Sequence, residues 1–134
     1  MTDKFNVADI AEFCGRAELV SVKPGEFLFR EGEEGQAFYI VQKGTLRIVS
    51  GSTVYETVKT GDIVGEMAIL NEGAPRSASV IAGTYSELLE IGKERFLSLV
   101  SNNPNFALDV MRVMARRLRI MNQRERRGSP TIHT

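Results

Sequence analysis

The stretch Gly61–Val80, GDIVGEMAILNEGAPRSASV, decides how the rest of the chain reads. It opens with a Gly-Asp turn and a short apolar strand, Ile63-Val64. Gly65-Glu66 follows, then four apolar residues, Met67 to Leu70, and a polar turn over Asn71 to Ala74. Pro75-Arg76-Ser77 then leads into a second strand, Ala78 to Val80. A free surface loop has no need of four apolar residues ahead of its turn. The pattern predicts a loop with a helical turn inside it, packed on a core and holding one arginine in a fixed place.

These residue types suit an anion. A helix start leaves its first N–H groups without intrahelical partners, which makes it a ready anion site. Gly65, lacking a Cβ, lets a ligand approach the backbone closely. Arg76 adds a planar fork that matches two phosphate oxygens. Pro75 stiffens the approach, and Ser77 adds a hydroxyl donor. One arginine and one hydroxyl fit a singly charged phosphate better than a triphosphate, and there is no P-loop lysine. Glu66 is the odd member, because a carboxylate beside an anion needs donors of its own. A sugar hydroxyl would supply one, which suggests a ligand with a hydroxyl at one end and a phosphate at the other. A plain Glu66–Arg76 salt bridge pinning the loop is the alternative.

The stretch resembles the phosphate-binding cassette of cyclic nucleotide-binding domains. That pattern runs Gly-Glu-(Leu/Met)-Ala, a short turn, then Pro-Arg-(Ser/Thr/Ala)-Ala-(Ser/Thr)-Val; here Gly65-Glu66-Met67-Ala68 and Pro75-Arg76-Ser77-Ala78-Ser79-Val80 match it. Lys23-Pro24-Gly25-Glu26, Phe29-Arg30-Glu31-Gly32, Phe38-Tyr39-Ile40-Val41 and Lys43-Gly44-Thr45-Leu46 look like the family's opening strands, so the resemblance covers roughly residues 5 to 122. It implies that Arg76 and Ser77 hold a cyclic phosphate, capped by backbone N–H groups around Gly65, Met67 and Ala68. It also implies that Glu66 takes the ribose 2′-hydroxyl. The last helix would close over the base, with Met121 against the ring and Asn122 on a purine edge. Catabolite-regulator-like members carry a Thr-Ser pair there. The implied ligand is cAMP by preference, with cGMP as the alternative.

Working outward, residues 19–92 alternate short apolar runs with glycine-containing turns, the texture of a β-sandwich or barrel. We expect a mainly β fold with flanking helices: a jelly roll, or double-stranded β-helix, of about eight strands in two antiparallel sheets, interrupted by the cassette at 61–80. Phe38 to Val41 reads as a strand buried on both sides. Val54, Glu56 and Val58 are expected to face one way, and Tyr55, Thr57 and Lys59 the other. Residues 6–16 read as a short helix with Val7, Ile10, Phe13 and Cys14 on one face, and the single cysteine excludes an internal disulfide. Lys93 to Val100 forms another helix. Residues 127–134 read as a flexible tail, so that 1–134 makes a single domain.

The long C-terminal helix is expected from the Asn103 cap and Pro104 to about Arg126, ended by Gly128. It carries two apolar seams, one of Phe106, Val110, Val113 and Ile120, the other of Leu108, Met111, Ala115 and Leu118. The second seam invites a partner helix, and hence a homodimer. Arginines between the seams read as a solvated face.

Net charge is zero, yet residues from 105 onward hold seven arginines against Asp109 and Glu125. Binding of nucleic acid along this basic helix is one alternative function, and a ligand-free structural or interaction domain is another. DNA binding is not expected, since nothing after the helix can form a recognition helix. An enzyme is not expected either: the one histidine, His133, lies in the tail, and neither a metal cluster nor a nucleophile motif is visible. With no membrane span or signal peptide, the expected address is cytoplasmic. The expectation is a free-standing sensor acting through an effector protein or its own dimer state.

Overall fold

In the computed structural model, which describes Ile10, residues 19–71 and residues 73–128, glycine turns divide the first two thirds of the chain into eight strands. These are β1 (Leu19–Val22), β2 (Phe27–Phe29), β3 (Ala37–Lys43), β4 (Thr45–Ser50), β5 (Thr53–Lys59), β6 (Ile63–Val64), β7 (Ser79–Ala82) and β8 (Ser86–Gly92). They pair into two four-stranded antiparallel sheets, ordered β1-β8-β3-β6 and β2-β7-β4-β5. The expected jelly roll is therefore present. The tight β3–β4 turn depends on Gly44, whose φ of 97° and close approach to Ser86 and the Tyr85 carbonyl leave no room for a side chain.

Two apolar layers hold the fold. The first, between the sheets, contains Phe29, Val41, Leu46, Val58, Val64, Val80 and Leu88. The second lies between the β1-β8-β3-β6 sheet and the helices α2 (Lys93–Asn102) and α3 (Asn105–Gly128). There Phe38, Phe96 and Phe106 meet with ring centroids 5.8–6.4 Å apart, and Ile40, Leu89, Ile91, Val110 and Val113 fill the rest. Strand β3 thus sends Phe38 and Ile40 to the helices and Val41 to the opposite sheet, which is why the run Phe38 to Val41 is apolar throughout. Each fully buried Phe or Val of α3 contributes about 1.5–3 kcal/mol.

The cassette crosses between the sheets. It leaves the first at β6, paired to Tyr39 and Ile40, makes the one-turn helix α1 (Met67–Leu70), and enters the second at β7 against β4. Its arginine is clamped through the backbone: Arg76 N–H donates to the Glu33 carbonyl (2.7 Å), and the Arg76 carbonyl accepts from Gly32 N–H (2.8 Å).

The structure corrects several expectations. Strand β5 does not alternate strictly: Ile48 pairs Glu56 but Val49 pairs Val54, so Tyr55 is the extra residue of a β-bulge. Val54 is consequently exposed instead of sharing a face with Val58. Helix α3 begins at Asn105, one residue past Pro104, the expected first helical position, and the Asn103 carbonyl accepts from Phe106 N–H. The arginines between the seams are not all solvated, as described below. Of the helix expected over 6–16, only Ile10 lies within the described residues; it is helical and buried in the helix-side core. Helix α3 runs on to Gly128, so residues 127 and 128 of the expected tail are helical, and the rest of that tail, from residue 129, lies outside the described residues.

Candidate functional site

Beside the cassette is a cavity of about 330 Å³, walled by the cassette, β4, β5 and α3. This volume sits near the lower end of ordinary ligand pockets, about 300–1,000 Å³. Gly65, Glu66, Met67, Ala68, Arg76, Ser77 and Met121 all line it; Asn122 does not and is exposed. The structure thus brings together seven of the eight residues singled out from the sequence.

Arg76 is 8% exposed. Its guanidinium lies 4.0 Å over the Phe29 ring and 5.9 Å from that of Tyr39. Nη1 donates to the Gly65 carbonyl at 3.3 Å, and buried Nε donates to nothing among the described residues. No carboxylate there comes within ion-pairing distance, so the charge is desolvated and lacks a direct counter-ion. Burial lowers its hold on the proton, while Tyr39, Glu33, Glu90 and Glu66 act the other way. An arginine nevertheless stays charged. The edge carrying Nε and Nη2 packs against Gly35, where any side chain would collide with it. Gly65, at φ +80°, fits the opposite side: a Cβ there would stand 2.8 Å from Nη1 and 3.1 Å from the Phe29 ring. Burial, with Glu90 adding and Arg76 opposing, pushes the neighbouring Tyr39 hydroxyl up.

Glu66 does not pair with Arg76. Its Oε1 accepts from Arg117 Nη1 at 2.7 Å, and Oε2 has no hydrogen bond among the described residues. Arg117 also donates from Nε to Glu56 Oε1 (2.9 Å) and from Nη2 to the Ile63 carbonyl (2.6 Å), while Arg116 holds the other Glu56 oxygen at 3.0 Å. One guanidinium therefore ties α3 to β5, β6 and the cassette. Burial would raise Glu56, but the Arg117 charge and hydrogen bonds from Arg117 and Arg116 outweigh it and hold the carboxyl below its ordinary range. The bulge places Tyr55 and Glu56 on the same cavity wall.

The backbone expectation is only partly met. The Ala68 N–H already donates to the Gly65 carbonyl at 3.2 Å, whereas those of Glu66 and Met67 donate to nothing among the described residues. Ser77, exposed to the cavity mouth, keeps its hydroxyl free of protein partners there.

Arg116, Arg117 and Glu56 were not foreseen as site residues. The signal was present: Phe106, Val110, Val113 and Ile120 leave a gap in the inner seam at position 117, so its arginine had to face inward. Among the described residues there is no group of three or more His, Cys, Asp or Glu side chains able to hold a metal, and no helix long and apolar enough to cross a membrane.

The model for the cyclic nucleotide-binding domain matches residues 19–103. A lysophospholipase of Neurospora crassa is 35% identical over 107 residues, 76% of this chain and 7% of that protein. A cAMP-dependent protein kinase regulatory subunit of Yarrowia lipolytica is 41% identical over 81 residues, 59% of this chain and 21% of that one. The crystal structure of the Thermus thermophilus catabolite activator protein superposes with a TM-score of 0.75 at 29% identity, over 92% of this chain and 58% of that one. This chain thus spans only a minor part of the two curated relatives. From the cassette, the jelly roll and these matches together, the chain belongs to the cyclic nucleotide-binding domain family.

Proposed function

We propose that the chain binds a cyclic nucleotide, with cAMP preferred over cGMP, and serves as a regulatory module. One observation carries this reading: the cavity holds a buried guanidinium that has no counter-charge within pairing distance. A cyclic phosphodiester, singly charged, supplies it. Arg76 and Ser77 take the phosphate oxygens, the free N–H groups of Glu66 and Met67 cap them, and the unbonded Glu66 oxygen accepts the ribose 2′-hydroxyl. Met121 packs on the base. The relative named as a cAMP-dependent kinase regulatory subunit supports cAMP as the first ligand to test.

Titration calorimetry of the full chain with cAMP and cGMP tests this. Arg76→Met is expected to lose about 2–5 kcal/mol of affinity, the scale of removing one partner from a desolvated charge pair. Equal affinity for both proteins removes Arg76 from the site. No rise in melting temperature with either nucleotide at millimolar concentration would leave only a structural role, because a ligand bound to the native state alone must stabilise it.

The output runs through the outer stripe of α3. Leu108, Met111 and Leu118 are 46%, 52% and 61% exposed while the inner seam is buried, so the helix has an apolar face suited to a second copy or an effector. Leu108→Glu, which lies outside the cavity lining, is expected to shift sedimentation toward monomer with nucleotide affinity largely kept; unchanged sedimentation counts against a dimer through this face. Nucleic-acid binding along α3 is less favoured, since Arg112, Arg116 and Arg117 are engaged by Asp109, Glu56 and Glu66.

A further inference from the structure

Apart from Arg76 and Glu66, the cavity wall includes Ile48, Tyr55, Met67, Met114, Leu118 and Met121. Three of the chain's five methionines are among these six residues. Apart from the Tyr55 hydroxyl, the side chains of this wall carry no strong hydrogen-bonding group, a thioether being only a weak acceptor. The charged side chains nearby are committed: Glu56 and Arg117 bind each other, and Arg117 also binds Glu66. Asn71 and Ser77 belong to the cassette and are exposed, Ser77 next to the phosphate arginine. Asn122, the amide the family resemblance would set against a purine edge, stands outside the cavity wall.

We infer that this site reads phosphate and ribose by charge and the base mainly by apolar surface, so that its preference for cAMP is shallow and 3′,5′-cyclic nucleotides of every base bind. The inference rests on the cyclic-nucleotide reading above. An apolar wall separates related ligands by only about 10–200-fold, whereas a site built to hydrogen-bond a substrate edge rejects the wrong one by about 10⁴–10⁵. Methionines widen this tolerance, because an unbranched thioether repacks around rings of different size. Met67 and Met121, 43% and 36% exposed, have the room to do so.

The test is calorimetry of the full chain with cAMP, cGMP, cCMP and cUMP at one ionic strength. All four are expected to bind, with dissociation constants inside about 200-fold of one another. A wider spread that singles out one base overturns the inference while leaving cyclic-nucleotide binding intact; no binding by any of the four overturns both. The double variant Met114→Leu/Met121→Leu keeps the wall apolar but stiffens it. It is expected to widen the purine-to-pyrimidine ratio several-fold with the phosphate contacts unchanged. An unchanged ratio overturns the assignment of this breadth to the methionines.

Discussion

Two arginines enter the same cavity from opposite sides, and their surroundings are opposite too. Arg117 arrives on α3 and meets Glu56, Glu66 and the Ile63 carbonyl, all at 2.6–2.9 Å. Arg76 arrives on the cassette and meets two aromatic rings, one carbonyl at 3.3 Å and an unfilled Nε. Both are largely withdrawn from water, yet only one has its charge matched by the fold. A satisfied buried charge is structural, since removing either partner strands the other. An unsatisfied one destabilises the protein until something else neutralises it. On the proposed reading, the first arginine belongs to the scaffold and the second to the ligand.

The largest effect that could break this contrast is Arg117→Met. It leaves two half-buried or buried carboxylates without their shared cation and is expected to destabilise the protein by about 3–5 kcal/mol, read by chemical denaturation. The same exchange at Arg76 is expected to leave stability unchanged or higher, even as it removes nucleotide affinity. Equal losses of stability from the two variants would end the distinction. Next comes Gly65→Ala, which forces a Cβ into a left-handed backbone at about 1–2 kcal/mol and pushes on Arg76 Nη1. Binding is expected to fall by more than stability does, as calorimetry beside denaturation will show.

The smallest effect is acid sensitivity at Glu56. Its folded pKa lies below the ordinary value of 4.5, so its contribution is complete above that value and is lost as pH falls through the folded one. Thermal melts from neutral pH downward are expected to show Glu56→Gln less stable than the parent at neutral pH, with the gap closing below about pH 4.5. A gap constant with pH would mean that Glu56 titrates as it does in the unfolded chain.

Much of this was legible in the residues. Glycine spacing gave the strand count, and the run Met67 to Leu70 gave α1, of which Ala68 is buried and Met67 is not. Arg76 was readable because Pro75 and Gly65 fix its surroundings locally. What sequence could not show was pairing across long separations. Glu66 was weighed against the arginine ten residues away, and its partner turned out to be fifty-one residues on, in another element. The α3 arginines were read from their exposed neighbours, while position 117 completes the buried seam. Strand alternation failed at Tyr55, where nothing in the local composition marks an inserted residue.

That insertion in β5 has a consequence for how this wall can change. In a regular strand, adjacent side chains point to opposite faces, so an aromatic ring and a carboxylate could not both face the cavity from positions 55 and 56. Here chain length, more than residue identity, makes them neighbours. Deleting one residue would restore even pairing and turn one of the two away, detaching either the ring from the cavity or the carboxylate from α3.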